Sequence, residues 1–377
     1  MKGIISVFLL FLISFLYSCS SNEKVEEINI GYIGPLTGNA QDLGADPAKA
    51  IQLAINDYNR YKKETDPKVN LFIENDFWKG EKAVPLYDRL RQEHQIKILL
   101  ISHSDGTISL QKKVKKDGVI LINPLNNDAL LSKMNENTFL IGKKTEEAAQ
   151  VIAARIIELG LKKITGFHVD NTFMSIFSEV VKKELKQQNI HTNIIKVGID
   201  QTDYKEELTK IGNKNTDGMV FFGYKNLGFA MKQAREMNIN APFFGATTTL
   251  GKGFYENSEG TIVGTEISFF TPNDGNYVLG MKFLNRFKSK YGYMPSSVWP
   301  PLQAYDAINI VLDILKKKKE MSKGDVFDEW FKNKLHETKF HQGVCGNVAI
   351  LEDGSSRGIY FSLYSIVGHN EIEKVKR

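Results

Sequence analysis

From Ile28 onward, short apolar runs alternate with stretches in which apolar residues recur every three or four positions. Ile28 to Ile33 is the first run, and Gly34-Pro35 closes it, which reads as a strand ending in a turn. Asp46-Pro47 read as a helix N-cap and first helical position, because Ile51, Ala54, Ile55 and Tyr58 follow at helical spacing. Leu71-Phe72-Ile73, Ile96 to Ser102 and Val119 to Ile122 are further strands, separated by charged, helix-compatible segments. That alternation predicts successive βαβ units and a parallel sheet.

The alternation then restarts. Ile164 to His168 reads as a strand, and Phe177, Val180, Val181 and Leu185 form the apolar stripe of a helix. Ile194-Ile195 and Met219 to Phe222 are further strands, with a helix from Leu227 to Met237 before Ala241-Pro242-Phe243-Phe244. Beyond Pro272, Phe283, Leu284 and Phe287 share one helical face, and Ala304, Ala307, Ile308, Val311 and Leu315 share another. Gly346 to Ile350 and Ile359 to Ile366 return to strands. The expected fold is α/β, with two similar Rossmann-like lobes built on parallel sheets.

A chain of 377 residues accommodates two such lobes. Its 42% hydrophobic and 25% charged residues are ordinary globular values, which excludes disorder, collagen and coiled coil. Lys+Arg 49 against Asp+Glu 44 leaves +5, too slight a surplus to call for nucleic acid. Two cysteines exclude a disulfide scaffold and a four-cysteine zinc site.

The N-terminus changes the picture most. Met1-Lys2 give a short positive start, and Ile4 to Tyr17 run almost wholly apolar, shorter than the ~20 residues that span a bilayer. The run ends Leu16-Tyr17-Ser18-Cys19, which resembles a bacterial lipobox, with Tyr17 larger than the residue usual there. Residues 1–18 are therefore expected to be a signal peptide, and 19–27 a tether lipidated at Cys19. Cys345 would then be the remaining thiol, read as a small buried or hinge residue.

Other chemistry falls away on spacing. Ala246 to Lys252 has the wrong glycine spacing for a phosphate loop, and Gly253 stands where Ser or Thr is needed. The seven histidines include no helical metal-binding pair. His103, Ser104 and Asp105 are adjacent in sequence, and adjacent residues do not generally meet as nucleophile, base and orienter. Lys316 to Lys319 end an apolar-striped helix and read as a solvated face favourable to its dipole. No cofactor and no metal are called for.

Gly34-Pro35-Leu36-Thr37-Gly38, directly after the first strand, resembles the opening signature of the branched-chain amino-acid-binding family of type I periplasmic substrate-binding proteins. Gly118 to Pro124, Phe221-Phe222-Gly223-Tyr224, Gln233 to Glu236, Ala241 to Gly245 and Tyr305-Asp306-Ala307 follow in the family's order, so the resemblance covers essentially the whole mature chain. It implies lobes of 28–142 plus 272–342 and of 143–271 plus 343–377, joined by three crossings near Gly142, Thr271-Pro272 and Gly343, with the ligand in the cleft between them. It also implies ligand-binding roles for Ser104, Leu125 and Asn127 on the first lobe and for Phe173, Tyr224 and Thr247 on the second. Leu43 stands where an aromatic is frequent. Thr247 stands where amino-acid binders carry a carboxylate for the ligand's ammonium, which argues against an ordinary amino acid unless Asp76 or Glu266 reaches the site.

The function implied is an extracytoplasmic solute-binding lipoprotein, not an enzyme. It would capture a small polar or anionic solute, such as a carboxylate, an amide or an aromatic acid, and deliver it to the membrane subunits of an ABC permease. The alternatives are a non-transport envelope lipoprotein of the same fold, acting as a sensor or enzyme activator, and, more remotely, an envelope hydrolase.

Overall fold

A computed structural model describes residues 26–132, 135–212, 215–270 and 274–376. The expected signal peptide, Cys19 and the crossing at Thr271-Pro272 lie outside the described residues. The first sheet holds five parallel strands in the order β2-β1-β3-β4-β5: β1 (Glu27–Gly34), β2 (Lys68–Asn75), β3 (Ile98–Ile101), β4 (Ile120–Asn123) and β5 (Thr138–Leu140). β3 and β4 are buried along their whole length, which is why they read as unbroken apolar runs rather than alternating ones. Helices α1 (Ala45–Tyr61), α2 (Gly80–His94) and α3 (Ser104–Lys116) follow β1, β2 and β3.

The short α4 (Ala129–Ser132) precedes β5, and α5 (Thr145–Glu158) leads into the second sheet. There β6 (Lys163–Val169), β7 (His191–Val197), β8 (Gly218–Phe222), β9 (Phe243–Gly245) and β10 (Glu266–Phe270) are parallel. Helices α6 (Thr172–Gln187), α7 (Lys205–Ile211), α8 (Leu227–Glu236) and α9 (Lys252–Asn257) connect them.

The chain then returns to the first lobe. After α10 (Asp274–Tyr291), helix α11 (Trp299–Leu315) packs along α1, and α12 (Phe327–His336) packs beside β4. Helix α11 is buried on nearly every face, as expected of a helix apolar all round. Three short strands, β11 (His341–Gln342), β12 (Asn347–Ile350) and β13 (Ser356–Arg357), form a small antiparallel sheet. Last, β14 (Phe361–Gly368) and β15 (Glu371–Lys374) add antiparallel to the β10 edge of the second sheet.

Two expectations are corrected. Residues 343–377 do not all follow the second lobe: Val348 and Ile350 of β12 pack into the core that holds Ile98, Ile120 and α11, and the Gly354 carbonyl accepts from Leu140 N at 2.8 Å. The chain reaches the second sheet only at β14, so the last crossing follows Arg357 rather than Gly343. Asp46 is not an N-cap. Helix α1 begins at Ala45 with Gly44 as its cap, and the Asp46 carboxylate instead accepts from Tyr293 Oη at 2.6 Å and Ser296 N at 2.9 Å.

Candidate functional site

Parallel strands bring their connecting loops to one end of each sheet, beyond the strand C-termini, where open α/β sheets place ligands. Here those loops meet across the two lobes. Thr172 Oγ1, at the start of α6, donates to the Asp105 carboxylate in the first turn of α3. Asn39 Nδ2 donates to Ile199 O at 3.0 Å and to Asp200 Oδ1 at 3.1 Å. The Trp78 ring from the first lobe meets the Tyr224 ring from the second edge-on, with centroids 5.5 Å apart.

Leu43, Asp42, Tyr224, Thr248 and Phe254 line an inner cavity of about 10 Å³, at the lower limit for one water molecule. An outer groove of about 870 Å³ runs from Trp78 and Glu81 to Asn171 and Ile176. The lobes are closed on one another.

On the first lobe, His103 caps α3: its Nδ1 accepts from Gly106 N at 3.0 Å, which assigns the proton to Nε2, 2.5 Å from Asp76 Oδ2. The other Asp76 oxygen accepts from Trp78 N at 2.9 Å, and the Trp78 ring lies 4.8 Å from the His103 ring. Asp76 is therefore spent on local structure. His103, Ser104 and Asp105 face three different partners, so their adjacency builds no triad.

Ser104 Oγ donates to Asp128 Oδ2 at 3.3 Å and accepts from Asn126 Nδ2 at 3.0 Å. Asn127, given a ligand-binding role by the resemblance, is one residue further. Asn127 instead turns away and donates to Ser356 O at 2.5 Å. The cause lies in Asn123, whose Oδ1 accepts from both Leu125 N and Asn126 N and so curls the loop after β4 into an Asx turn. Leu125 is buried and offers its carbonyl to Lys143.

On the second lobe, Asn171 caps α6 by accepting from Met174 N at 2.9 Å, and its amide donates to Tyr224 Oη at 3.0 Å. Burial first, and the nearby Asp105 charge after it, push the Tyr224 hydroxyl well above its ordinary pKa. Phe173 is buried in the first turn of α6. Thr247 Oγ1 donates to Ser268 O at 3.0 Å, back into its own lobe, whereas its neighbour Thr248 lines the inner cavity. Glu266 is held in a fork by Arg155, with bonds of 2.8 and 2.9 Å, and does not serve the cleft.

Sequence reasoning missed several cleft residues. Trp78 and Asn171 are two, and Asp42 is a third: burial raises its carboxyl to about 6, with Lys225 and Lys252 of the opposite lobe pulling the other way. Lys143, which sequence reasoning also missed, lines neither the inner cavity nor the outer groove: it is only 1% exposed, in the segment that leads from β5 into α5 and the second sheet. Its Nζ stands 3.8 Å above the Trp299 ring and 4.8 Å from the Phe173 ring, and donates to Leu125 O at 3.3 Å. Burial lowers its pKa, partly offset by Asp128 and Cys345, while burial raises that of Asp128. Gly142 permits this arrangement, because a side chain there would overlap Leu125 and the Asn126 amide. Nothing in a Gly-Lys-Lys triplet marks its first lysine as buried.

Cys345 is buried beside this cluster, its backbone N–H bound to Asp306 Oδ2 at 2.8 Å, and burial pushes its thiol up, away from reactivity. Among the described residues, no group of three or more His, Cys, Asp or Glu is placed to hold a metal ion, and no helix is long and apolar enough to cross a membrane.

A family model described as periplasmic binding protein matches residues 27–358. No curated protein sequence matches. Among solved structures, a leucine-binding protein LivK from Thermotoga maritima is 16% identical with a TM-score of 0.80, covering 93% of this chain and 98% of that one. The branched-chain amino acid substrate-binding protein LivJ from Streptococcus pneumoniae, solved with isoleucine, is 22% identical with a TM-score of 0.77, covering 93% and 100%. An ABC-transporter solute-binding protein from R. palustris, solved with benzoate, is 16% identical with a TM-score of 0.78, covering 93% and 95%. At such identities the likeness is one of fold.

Proposed function

Because this chain belongs to the periplasmic binding protein family, we propose that it works outside the cytoplasm as the solute receptor of an ABC importer. It closes two lobes on a small polar or anionic solute and hands it to a membrane permease. The observation that carries this reading is the closure itself. Loops from the C-terminal ends of two parallel sheets meet through Asp105–Thr172, Asn39–Ile199 and Trp78–Tyr224, and these contacts can form only when the lobes are shut.

The hinge would run through the segments at Gly142, between Phe270 and Asp274, and after Arg357. They join lobe 1 (28–142, 272–342 and on through β13) to lobe 2 (143–271 and the β14–β15 hairpin). Structures of this fold have been solved with isoleucine and with benzoate. For this chain an amino acid fits poorly: Thr247 is turned into its own lobe and Glu266 is locked by Arg155, so neither supplies a counter-charge for an ammonium.

The test is ligand-stripped, refolded protein titrated with branched-chain amino acids, aliphatic acids and aromatic acids. Binding should raise the unfolding temperature and, from an open unliganded state, reduce the radius of gyration in small-angle scattering. One observation favours a second reading: the inner cavity of about 10 Å³ leaves no room for a solute in the closed form. No binding at millimolar concentration, with an unchanged scattering profile, would favour a permanently shut, non-transport envelope lipoprotein.

Lipid attachment at Cys19 would hold the receptor on a membrane through acyl chains, each buried CH₂ contributing ~0.8 kcal/mol. Cys19→Ser should move the protein from the membrane to the soluble fraction. Unchanged fractionation, with no fatty-acid label on the parent, would rule the anchor out.

A further inference from the structure

We infer that Lys143 is the anion receptor of the interlobe cleft, so that the solute carries a carboxylate or similar negative group and no ammonium. This rests on the receptor reading above and sharpens it to a charge class. The geometry is specific. The Lys143 ammonium lies between Trp299 of the first lobe and Phe173 of the second, so it touches both halves of the closing jaw. Its one hydrogen-bond partner among the described residues is a neutral carbonyl, that of Leu125. A lysine buried to 1% exposure with one neutral hydrogen-bond partner keeps two N–H donors without an acceptor, and the Trp299 and Phe173 rings and the nearby Asp128 offset its desolvation only in part. An anion bound beside Nζ repays that cost, and a second cation adds to it.

Two buried groups on α11, beginning with the Trp299 that faces Lys143, lack partners among the described residues. Among the described residues Trp299 Nε1 has no acceptor, and Gln303, one helical turn further along α11 and 1% exposed, has no partner for its amide nitrogen or its oxygen. A carboxylate meeting Lys143 has donors of the right kind on that helix face, and a buried unpaired amide is otherwise pure cost. Opening the lobes would part Phe173 from Trp299 and uncover the ammonium to a solute, and because the fully shut form keeps an inner cavity of only about 10 Å³, the solute-bound lobes would close less tightly than these. The titratable groups facing Lys143 are Asp128, on the loop after β4 and held by Ser104 and the Thr145 amide, and Cys345, on the loop before β12.

The test uses matched probes: benzoate against benzamide, and 4-methylpentanoate against leucine, on the ligand-stripped full chain and on Lys143→Met, which keeps an unbranched side chain one atom shorter and without the charge. The parent should prefer each carboxylate by about tenfold or more, and the variant should lose most of that preference while staying folded by thermal unfolding. Carboxylate affinity in the parent should fall as the pH rises through the lysine's lowered pKa, before an ordinary lysine titrates. Benzamide binding, and all binding by Lys143→Met, should stay flat there.

An equal carboxylate preference in both proteins, or leucine held more tightly than 4-methylpentanoate, would overturn the role of Lys143 and leave the receptor reading standing. Failure of every probe at millimolar concentration would overturn the receptor reading, and this inference with it. As a check independent of the variant, ¹³C-labelled lysine in the parent should show one resonance whose titration moves to higher pH when benzoate binds. A resonance indifferent to benzoate counts against the role.

Discussion

Between pH 4 and pH 8, Asp306→Asn will gain on the parent chain by up to about 4 kcal/mol in unfolding free energy, measured by urea denaturation at steps across that window. Burial pushes the Asp306 carboxyl up to about 7 from an ordinary 3.8, only partly offset by the Val344 and Cys345 amides that donate to it at 2.6 and 2.8 Å. The unfolded chain gives up this proton near 3.8 and the folded chain near 7, so between them the folded state binds more protons and stability falls as the pH rises. Below the lower value the full stability is present. Above the upper one the loss is complete, and each unit between them is worth about 1.4 kcal/mol.

The asparagine variant lacks this titration, so the gap between the two proteins must move with pH whatever fixed cost the substitution carries. A constant gap would refute the assignment. The carboxylate persists at this site because it ties α11 to residues 343–345, and the buried Cys345 amide left unpaired would cost about 1–3 kcal/mol.

Thr172→Val should tilt the chain toward an open form. The substitution keeps the side chain's size but removes the hydroxyl that crosses the cleft to Asp105. A hydrogen bond to a charged acceptor contributes about 1.5–3 kcal/mol, which sets a drop of about tenfold or more in the closed-to-open ratio. The apparent affinity for any solute that requires closure should fall by a similar factor, so the drop in radius of gyration on adding solute should need correspondingly more of it. Asp105→Asn should do much the same, and the double variant little more. An unchanged scattering titration, or two effects that simply add, would show that the contact does not hold the lobes together.

The parallel sheets were legible because β3, β4, β6 and β8 are largely covered on both faces, so Ile, Leu, Val and Phe stand in unbroken runs that alternation would have hidden. The stripe of α11 was legible for a related reason. The return path of the tail was not. Strands of two to four residues such as β11 to β13 carry too few positions for a pattern to reveal which sheet they join, and Val348 and Ile350 are apolar enough for either.

In the cleft, the resemblance pointed to loops that the structure brings together between the two sheets. Tyr224 lines the inner cavity, and Phe173 and the Leu125 carbonyl face Lys143. Where single side chains point could not be read: an Asx turn aims Asn126 rather than Asn127 at Ser104, and Thr247 bonds within its own lobe. Lys143 could not be read at all. A lysine is ordinarily solvated, and only the convergence of Trp299, Phe173 and the loop after β4, far apart in sequence, buries this one.

The order of strands in the second sheet also governs when the chain can fold. Its β10 edge is covered by β14, through pairs such as Glu266 with Ser365, and the first lobe needs Val348 and Ile350 beneath its sheet. A chain emerging N-terminus first, from a ribosome or through a translocation pore, therefore cannot complete either half until nearly all of it has emerged. Contacts spanning such sequence distances form slowly. An interleaved topology of this kind keeps a nascent polypeptide pliable enough to thread a narrow pore, and defers its collapse to the far side.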